Sequence, residues 1–404
     1  MVHPLTLKNA VVYGGSKPEP RDLYLADVLL DKPNRKSLTV DLSGYVLFPG
    51  MINAHDHLEL NHFPRTKFRE RYDNAHQWGE DVSQRLDQEP FKTLRAYPLE
   101  DRCFIGGLKN LLCGALTVVH HNPPHKPLFR SDFPVTVLKR YGWVHSLHFS
   151  TEAEIVSSYQ QTPPDVPWFI HLAEGTDATA ASEYRRLKKL GCVGKNTRFI
   201  HGVGITDADS YDGNLSGAKL ITCPTTNLYL LGQSVYPSSA FLTSLTMLGS
   251  DSRLTAEGDL LDELRAFHTL YPLIPNPFSY VYHAPERHLG LRPHKFRREF
   301  IWWDAGDAPD FFLIKHDYEL TKIEALVVNA RRADLALIVR HGVPQIGDPD
   351  LMAQFPHIET VRAELDGVPK AINIQLARQI AKCTLKEPGL ELIDNPQGRR
   401  RTLW

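Results

Sequence analysis

Val46-Leu-Phe-Pro-Gly-Met-Ile-Asn-Ala-His-Asp-His57 is an apolar run that ends in two histidines one residue apart. If Met51 to His57 is extended, side chains alternate between faces and both imidazoles project to the same side. Two neutral imidazoles so placed can grip one cation. The spacing alone is a weak signal, because 19 histidines in 404 residues produce about one such pair by chance. An exposed histidine pair on a strand edge fits these residues as well.

The pattern recurs downstream. Trp168-Phe-Ile-His171, Arg198-Phe-Ile-His201 and Leu248-Gly-Ser-Asp251 are short apolar runs that each end on a metal-ligating residue type. Chance accounts for one such strand end, not four. Strands are predicted at Ala115 to Val119, Trp143 to Phe149, Pro167 to Ile170, Arg198 to Ile200, Leu220 to Thr222 and Leu245 to Leu248. Helices are predicted at Leu108 to Leu112, Ala178 to Leu190 and Leu260 to Leu270. Strands alternating with helices predict a parallel sheet. In a barrel of parallel strands the C-terminal ends converge on one face, where catalytic residues gather from distant parts of the chain. Imidazoles plus one carboxylate suit a single divalent ion, zinc first, with iron, manganese or nickel possible in the same geometry, and leave a position for water. Glu174, three residues past His171, can lean over that ion, take a proton from water and hand one to a substrate nitrogen. A solvated charge at a helix start is its bland alternative.

Around this core, short β-prone runs between Leu5 and Leu47 alternate with turn clusters, and Pro309 to Ile314 and Ala333 to Val339 return to strand chemistry. Together they predict a β unit assembled from separated segments. The tail from Leu351 carries one predicted helix, Lys370 to Lys382, ends in Arg399-Arg400-Arg401, and reads as a solvated extension. Lys+Arg number 46 against 47 for Asp+Glu, so no global field draws nucleic acid or an acidic membrane. A small-molecule substrate is expected instead. No apolar stretch is long enough to span a bilayer and Met1 to Gly14 lacks a leader pattern, so a cytoplasmic location is expected. Five scattered cysteines without a C-x-x-C pair argue against disulfides and thiolate zinc sites.

Phe48-Pro-Gly-Met-Ile-Asn-Ala-His-Asp-His57, Gly114-Ala-Leu-Thr-Val-Val119, His171-Leu-Ala-Glu174, His201-Gly202 and Thr222-Cys-Pro-Thr-Thr-Asn227 follow one another in order. Gly249-Ser-Asp-Ser252 with Leu260-Leu-Asp-Glu-Leu264, and then Gly306-Asp-Ala-Pro-Asp310, complete the series. Across most of residues 5–345 this order resembles the amidohydrolase superfamily, in its cytosine-deaminase-like, chlorohydrolase-related branch that includes guanine and S-adenosylhomocysteine deaminases. The resemblance implies an α/β fold: a TIM-type (β/α)8 barrel over 50–298, a small discontinuous β-sandwich from 1–49 and 299–350, and a C-terminal extension over 351–404. It implies that His55, His57, His171 and Asp251 hold the ion. It further implies that His201 contacts the attacking water or substrate oxygen, that Glu174 shuttles protons, and that Asp251 also accepts a proton from the water. No lysine falls where two-metal members carry a bridging one, which favours a single ion. Only 17 residues separate Phe149 from Pro167, so one barrel unit is expected to be reduced.

His121, Arg65, Trp78 and Asn227 are candidate substrate contacts, with His120, His62 and Tyr229 beside them; ordinary packing or loop-surface roles fit each as well. The expected reaction is deamination of a heterocyclic or amidine-like molecule by metal-activated water. Hydrolysis of a cyclic amide, imide or acyl amide would use the same groups. A metal-binding homologue without turnover is the non-enzymatic alternative, and self-association into a homo-oligomer is compatible with the architecture.

Overall fold

Runs of β-branched and aromatic residues become strands throughout the computed structural model. It describes residues 3–13, 20–34, 36–236, 238–243, 246–274, 276–291, 306, 308–316 and 323–397. The chain divides into two units, one of Met1–Met51, Gly107–Leu116 and His294–Trp404, the other of Ile52–Gly106 and Thr117–Pro293. The first opens with β1 (Leu5–Val12), β2 (Pro20–Leu25), β3 (Leu29–Leu30), β4 (Leu38–Asp41) and β5 (Tyr45–Pro49). β1 pairs antiparallel with β2 and parallel with β4 and β5.

Among the described residues eight strands lie wholly or mostly in the second unit: β6 (Met51–Asp56), β7 (Ala115–His120), β8 (Thr136–Val137), β9 (Gly142–Ser146), β10 (Trp168–Leu172), β11 (Thr197–His201), β12 (Lys219–Thr222) and β13 (Met247–Leu248). Among the described residues their ladders form a five-stranded parallel sheet, β9 to β13 in order, and a three-stranded sheet, β6-β7-β8. Helices between the strands start on side-chain caps that satisfy otherwise orphaned N–H groups: Asp177 for Ala178–Lys189, Thr206 for Asp207–Leu215 and Asp259 for Leu260–Leu270.

The expectation of a reduced unit after Phe149 is corrected. Helix Glu152–Gln161 occupies that interval, opened by a capping box in which Thr151 and Glu154 hydrogen-bond reciprocally. The shortened stretch lies earlier. Between β7 and β8 there is only a 3-10 turn, Lys126–Phe129, and four residues join β8 to β9. Pro123, Pro124 and Pro127 explain this, since proline lacks the N–H that a helix interior needs.

No ladder joins β13 to β6 among the described residues; a polar junction does. Asn53 takes the Ser250 N–H on its Oδ1 at 2.9 Å and donates its Nδ2 to Ser250 Oγ at 2.7 Å, while Asp251 N–H donates to His55 O at 3.0 Å. Gly249 makes the approach possible, because a Cβ there would stand 2.5 Å from the His55 Cβ and 2.9 Å from its backbone nitrogen. Ala173, His201 and Asp251, just past or at the ends of β10, β11 and β13, have φ of 54°, 72° and 54°. That left-handed conformation costs a residue with a Cβ about 1–2 kcal/mol. It turns the chain sharply where the strands stop.

The first unit resumes with β14 (Phe311–Lys315), β15 (Leu335–Arg340), β16 (Val343–Gly347), β17 (Thr360–Leu365), β18 (Val368–Asn373) and β19 (Leu390–Leu392). All join β1 to β5 in one eleven-stranded sheet, ordered β19-β17-β18-β16-β15-β14-β5-β1-β2-β3 with β4 alongside β1. The tail expected as a solvated extension therefore supplies three strands. Alternation in β17 buries Val361, Ala363 and Leu365 and exposes Arg362 and Glu364, a period-two signal. The helix predicted from Lys370 begins at Ile374, capped by Asn373; Lys370 lies in β18, its buried ammonium held by Asp348 at 2.6 Å and Leu335 O at 2.9 Å. Arg399-Arg400-Arg401 and the Leu245 start of a predicted strand lie outside the described residues. The five cysteines are free thiols, four of them buried. Among the described residues no helix is long and apolar enough to cross a membrane.

Two substitutions test these constraints. Gly249→Ala should destabilise the protein by about 1–3 kcal/mol, the usual cost of overpacking against backbone, read as a lower denaturant midpoint. Ala173→Val should lower the thermal midpoint, since a β-branched residue tolerates positive φ poorly, whereas Ala173→Gly should stay within about 2 °C of the native value.

Candidate active site

The β6–β13 junction brings the two ends of the metal-ligand pattern together. His55 Nε2 and His57 Nε2 lie 3.9 and 3.7 Å from Asp251 Oδ1. His171 Nε2, from the end of β10, comes to 3.3 Å from His55 Nε2. His55, His57 and Asp251 form one group whose ligand atoms all lie within 4.8 Å of one another; His55, His171 and His121 form a second. His171 is oriented by its Nδ1, which bonds His145 O at 2.9 Å, so that its Nε2 presents a lone pair to the cluster. Asp251 is fixed by Thr226 and Thr255 hydroxyls, each 3.2 Å from Oδ2, and by Ser252 N–H, 2.7 Å from Oδ1. Burial, reinforced by neighbouring imidazoles, holds His55, His121 and His171 well below the usual imidazole range. Neutral imidazoles of this kind are the form that ligates metals.

Glu174 follows the turn at Ala173 and faces His201, Oε2 to Nε2 at 3.5 Å. His201 Nδ1 bonds Asn227 Oδ1 at 2.9 Å, which places the proton on Nδ1 and leaves Nε2 as an acceptor. Burial, with Asp251 and Glu183 nearby, pushes the Glu174 carboxyl well above the carboxylate range, while burial holds His201 low. A carboxylic acid that can donate thus stands beside a neutral acceptor. Glu183, on helix Ala178–Lys189, accepts the Ala173 N–H at 2.6 Å and meets His76 Nε2 at 3.3 Å, tying the turn that aims Glu174.

His57, His171, Glu174, His201 and Asp251 all line one cavity of about 370 Å³. Of the four candidate substrate contacts, Trp78 lines it, with its Nε1 donating to Thr66 O at 3.0 Å. Asn227 instead sits behind His201, as its hydrogen-bond partner. His121 is buried, stacked on His171 with its Nε2 on Val144 O at 2.9 Å. Arg65 is absent from the lining; its guanidinium bonds Thr255 O at 2.8 Å and Thr225 O at 3.1 Å and lies 4.0 Å over the Tyr229 ring. His62 points to Leu94 O. Sequence reasoning overlooked His145, Phe149, His76 and Glu183. The first was legible, since His145 sits near the end of an apolar strand like the other histidines; the rest reach the pocket from loop and helix positions with no local signal.

No protein-family model and no curated protein sequence matches the chain. Solved structures do. An adenosine deaminase from Xanthomonas campestris with bound zinc superposes with a TM-score of 0.65 at 16% identity, over 87% of this chain and 96% of that one. Atrazine chlorohydrolase from Arthrobacter aurescens TC1, complexed with zinc, gives 0.66 at 16% identity, over 87% and 98%. Helicobacter pylori aminofutalosine deaminase, in complex with methylthio-coformycin, gives 0.55 at 15% identity, over 84% and 99%. The chain has the fold that these three enzymes share.

Proposed function

We propose that the chain is a metal-dependent hydrolase of the amidohydrolase superfamily, acting on a carbon–nitrogen bond of a small molecule, and that its reaction is deamination of a heterocyclic or amidine-like substrate. In this reading β6 to β13 are the eight strands of a (β/α)8 barrel. The eleven-stranded sheet folds over itself as the accompanying sandwich, supported by a shared core of Leu5, Leu7 and Val40 with Phe311, Leu337 and Val339.

The observation that carries the proposal is the approach of His55 Nε2 to His171 Nε2. The pair is either a hydrogen bond from a His55 Nε2–H to the His171 lone pair or two lone pairs gathered about a cation, and the His57 Nε2 and Asp251 Oδ1 atoms beside it favour the cation. Nitrogens at 2.0–2.1 Å from a tetrahedral zinc ion lie about 3.3–3.4 Å apart. His55, His57, His171 and Asp251 are the proposed ligands, and zinc the proposed ion, in line with the zinc held by the similar structures. Such an ion would supply Lewis acidity and acidify a water molecule. The chain's own residues do the rest. Asp251, whose Oδ1 faces the His55 and His57 Nε2 atoms, takes a proton from the attacking water; His201 Nε2 accepts a hydrogen bond from that water; Glu174 delivers its proton to the leaving nitrogen. Among the described residues no lysine or arginine lines the cavity, which disfavours an anionic substrate, and Trp78 and Phe149 in the lining offer rings for an aromatic one to pack on.

Metal analysis by mass spectrometry should find tightly bound zinc in native protein and one equivalent less per chain in the His55→Ala variant. With a panel of aminated heterocycles, native protein should release ammonia and Glu174→Gln should be slower by about 10²–10⁴-fold. Turnover without ammonia would favour amide hydrolysis, and absence of both metal and turnover would leave a non-catalytic homologue.

A further inference from the structure

Outside the proposed catalytic set, a second group of ligand-type side chains gathers around an unanswered carboxylate oxygen. Glu59, two residues past His57, has a side chain 9% exposed, and its Oε2 has no hydrogen-bond donor. That oxygen lies 3.7 Å from His120 Nδ1. His120 is fully buried and its Nε2 bonds Pro123 O at 3.2 Å; a carbonyl only accepts, so Nε2 carries the proton and Nδ1 is a lone pair. The Leu58 N–H reaches Nδ1 only at 3.3 Å. That N–H takes the Nδ1 lone pair, so Glu59 Oε2 is the acceptor left without a donor, facing an imidazole nitrogen that carries no proton. Glu59 Oε1 takes the Asn122 Nδ2–H at 2.6 Å and lies 4.0 Å from His125 Nε2. One ligand atom from each of Glu59, His120 and His125 falls within 4.8 Å of the others.

We propose that Glu59, His120 and His125 bind a second divalent transition-metal ion, zinc or a zinc-like ion, with a structural role. Two imidazoles and one carboxylate are a borderline N/O donor set that suits such an ion. The location gives the site its purpose. His125 opens the 3-10 turn Lys126–Phe129 in the stretch where prolines have displaced a helix, and Glu59 sits in the turn Leu58–Leu60 directly after His57. An ion there clamps the proline-rich connection onto the segment that carries His57, and holds Asn122 in the cavity wall.

The test uses full-length protein, zinc alone as the probe, and the variants His55→Ala, His125→Ala and the double variant. Equilibrium dialysis with metal analysis should give two zinc equivalents for native protein, one for each single variant and none for the double. Zinc should raise the thermal midpoint of His55→Ala and leave that of the double variant unchanged. His125 is a quarter exposed, so its removal should spare folding; Glu59→Gln repeats the measurement from the other side. A native value of one equivalent, lost in His55→Ala and kept in His125→Ala and Glu59→Gln, overturns the second site and leaves the hydrolase reading intact. If instead the single equivalent survives in His55→Ala and is lost in His125→Ala, the second site stands and the proposed catalytic ligands fail.

Discussion

Asn53 and Ser250, 197 positions apart in sequence, hold the second unit's candidate site together. Along β9 to β13 the strands are joined by parallel ladders, but β13 is only two residues long and, among the described residues, meets β6 through side chains and the Asp251 N–H to His55 O bond. In that buried junction the asparagine carbonyl is answered by a backbone N–H, its amide by a hydroxyl, and the His55 carbonyl by the Asp251 N–H. Removing one partner would strand the other in a dry interior, at about 1–3 kcal/mol. The chemistry depends on this stitch, because Asp251 belongs to one side of it and His55 and His57 to the other.

Around the stitch the interior is rich in electron pairs. Burial holds the imidazoles of His55, His121, His171 and His201 below their usual range. Asp251 and Glu174 add carboxyl groups to the same space, and among the described residues no lysine or arginine lines the cavity. Imidazole nitrogens and carboxylate oxygens brought this close in a desolvated space are costly unless hydrogen bonds or a cation meet them. A metal ion at the cluster would answer that cost, and binding free energy there is then folding free energy for the strand ends that converge on it.

The shortened side of the second unit shapes the cavity. Where a helix would have covered the strands between β7 and β9, Asn122-Pro-Pro-His125 and the turn after it run close to the site, and Asn122, His145, Ser146 and Phe149 form that wall. His121 bridges the gap by reaching Val144 O. A structure that omits a helix thus gains room for loop side chains, the usual place for specificity to reside.

Much of this could be read from the chain alone. Short apolar runs ending in His55, His57, His171, His201 and Asp251 are local patterns, and strand chemistry places such residues at strand ends whatever the rest of the molecule does. The alternation in Thr360 to Leu365 was equally local, and reading the tail as an extension passed it over. Other features have no local signature. Glu183 looks like any helix carboxylate, yet it is buried under the turn that aims Glu174; Arg65 looks like a substrate clamp, yet two carbonyls and the Tyr229 ring engage it; Asn227 looks like a pocket residue, yet it fixes the His201 tautomer. Sequence by itself determined which residue types stand at the ends of which strands, because period-two alternation and turn chemistry act over a few residues. Only the tertiary structure decided which of them meet, since that depends on hydrogen bonds and close packing between segments nearly two hundred residues apart, as at Asn53, Ser250 and Gly249.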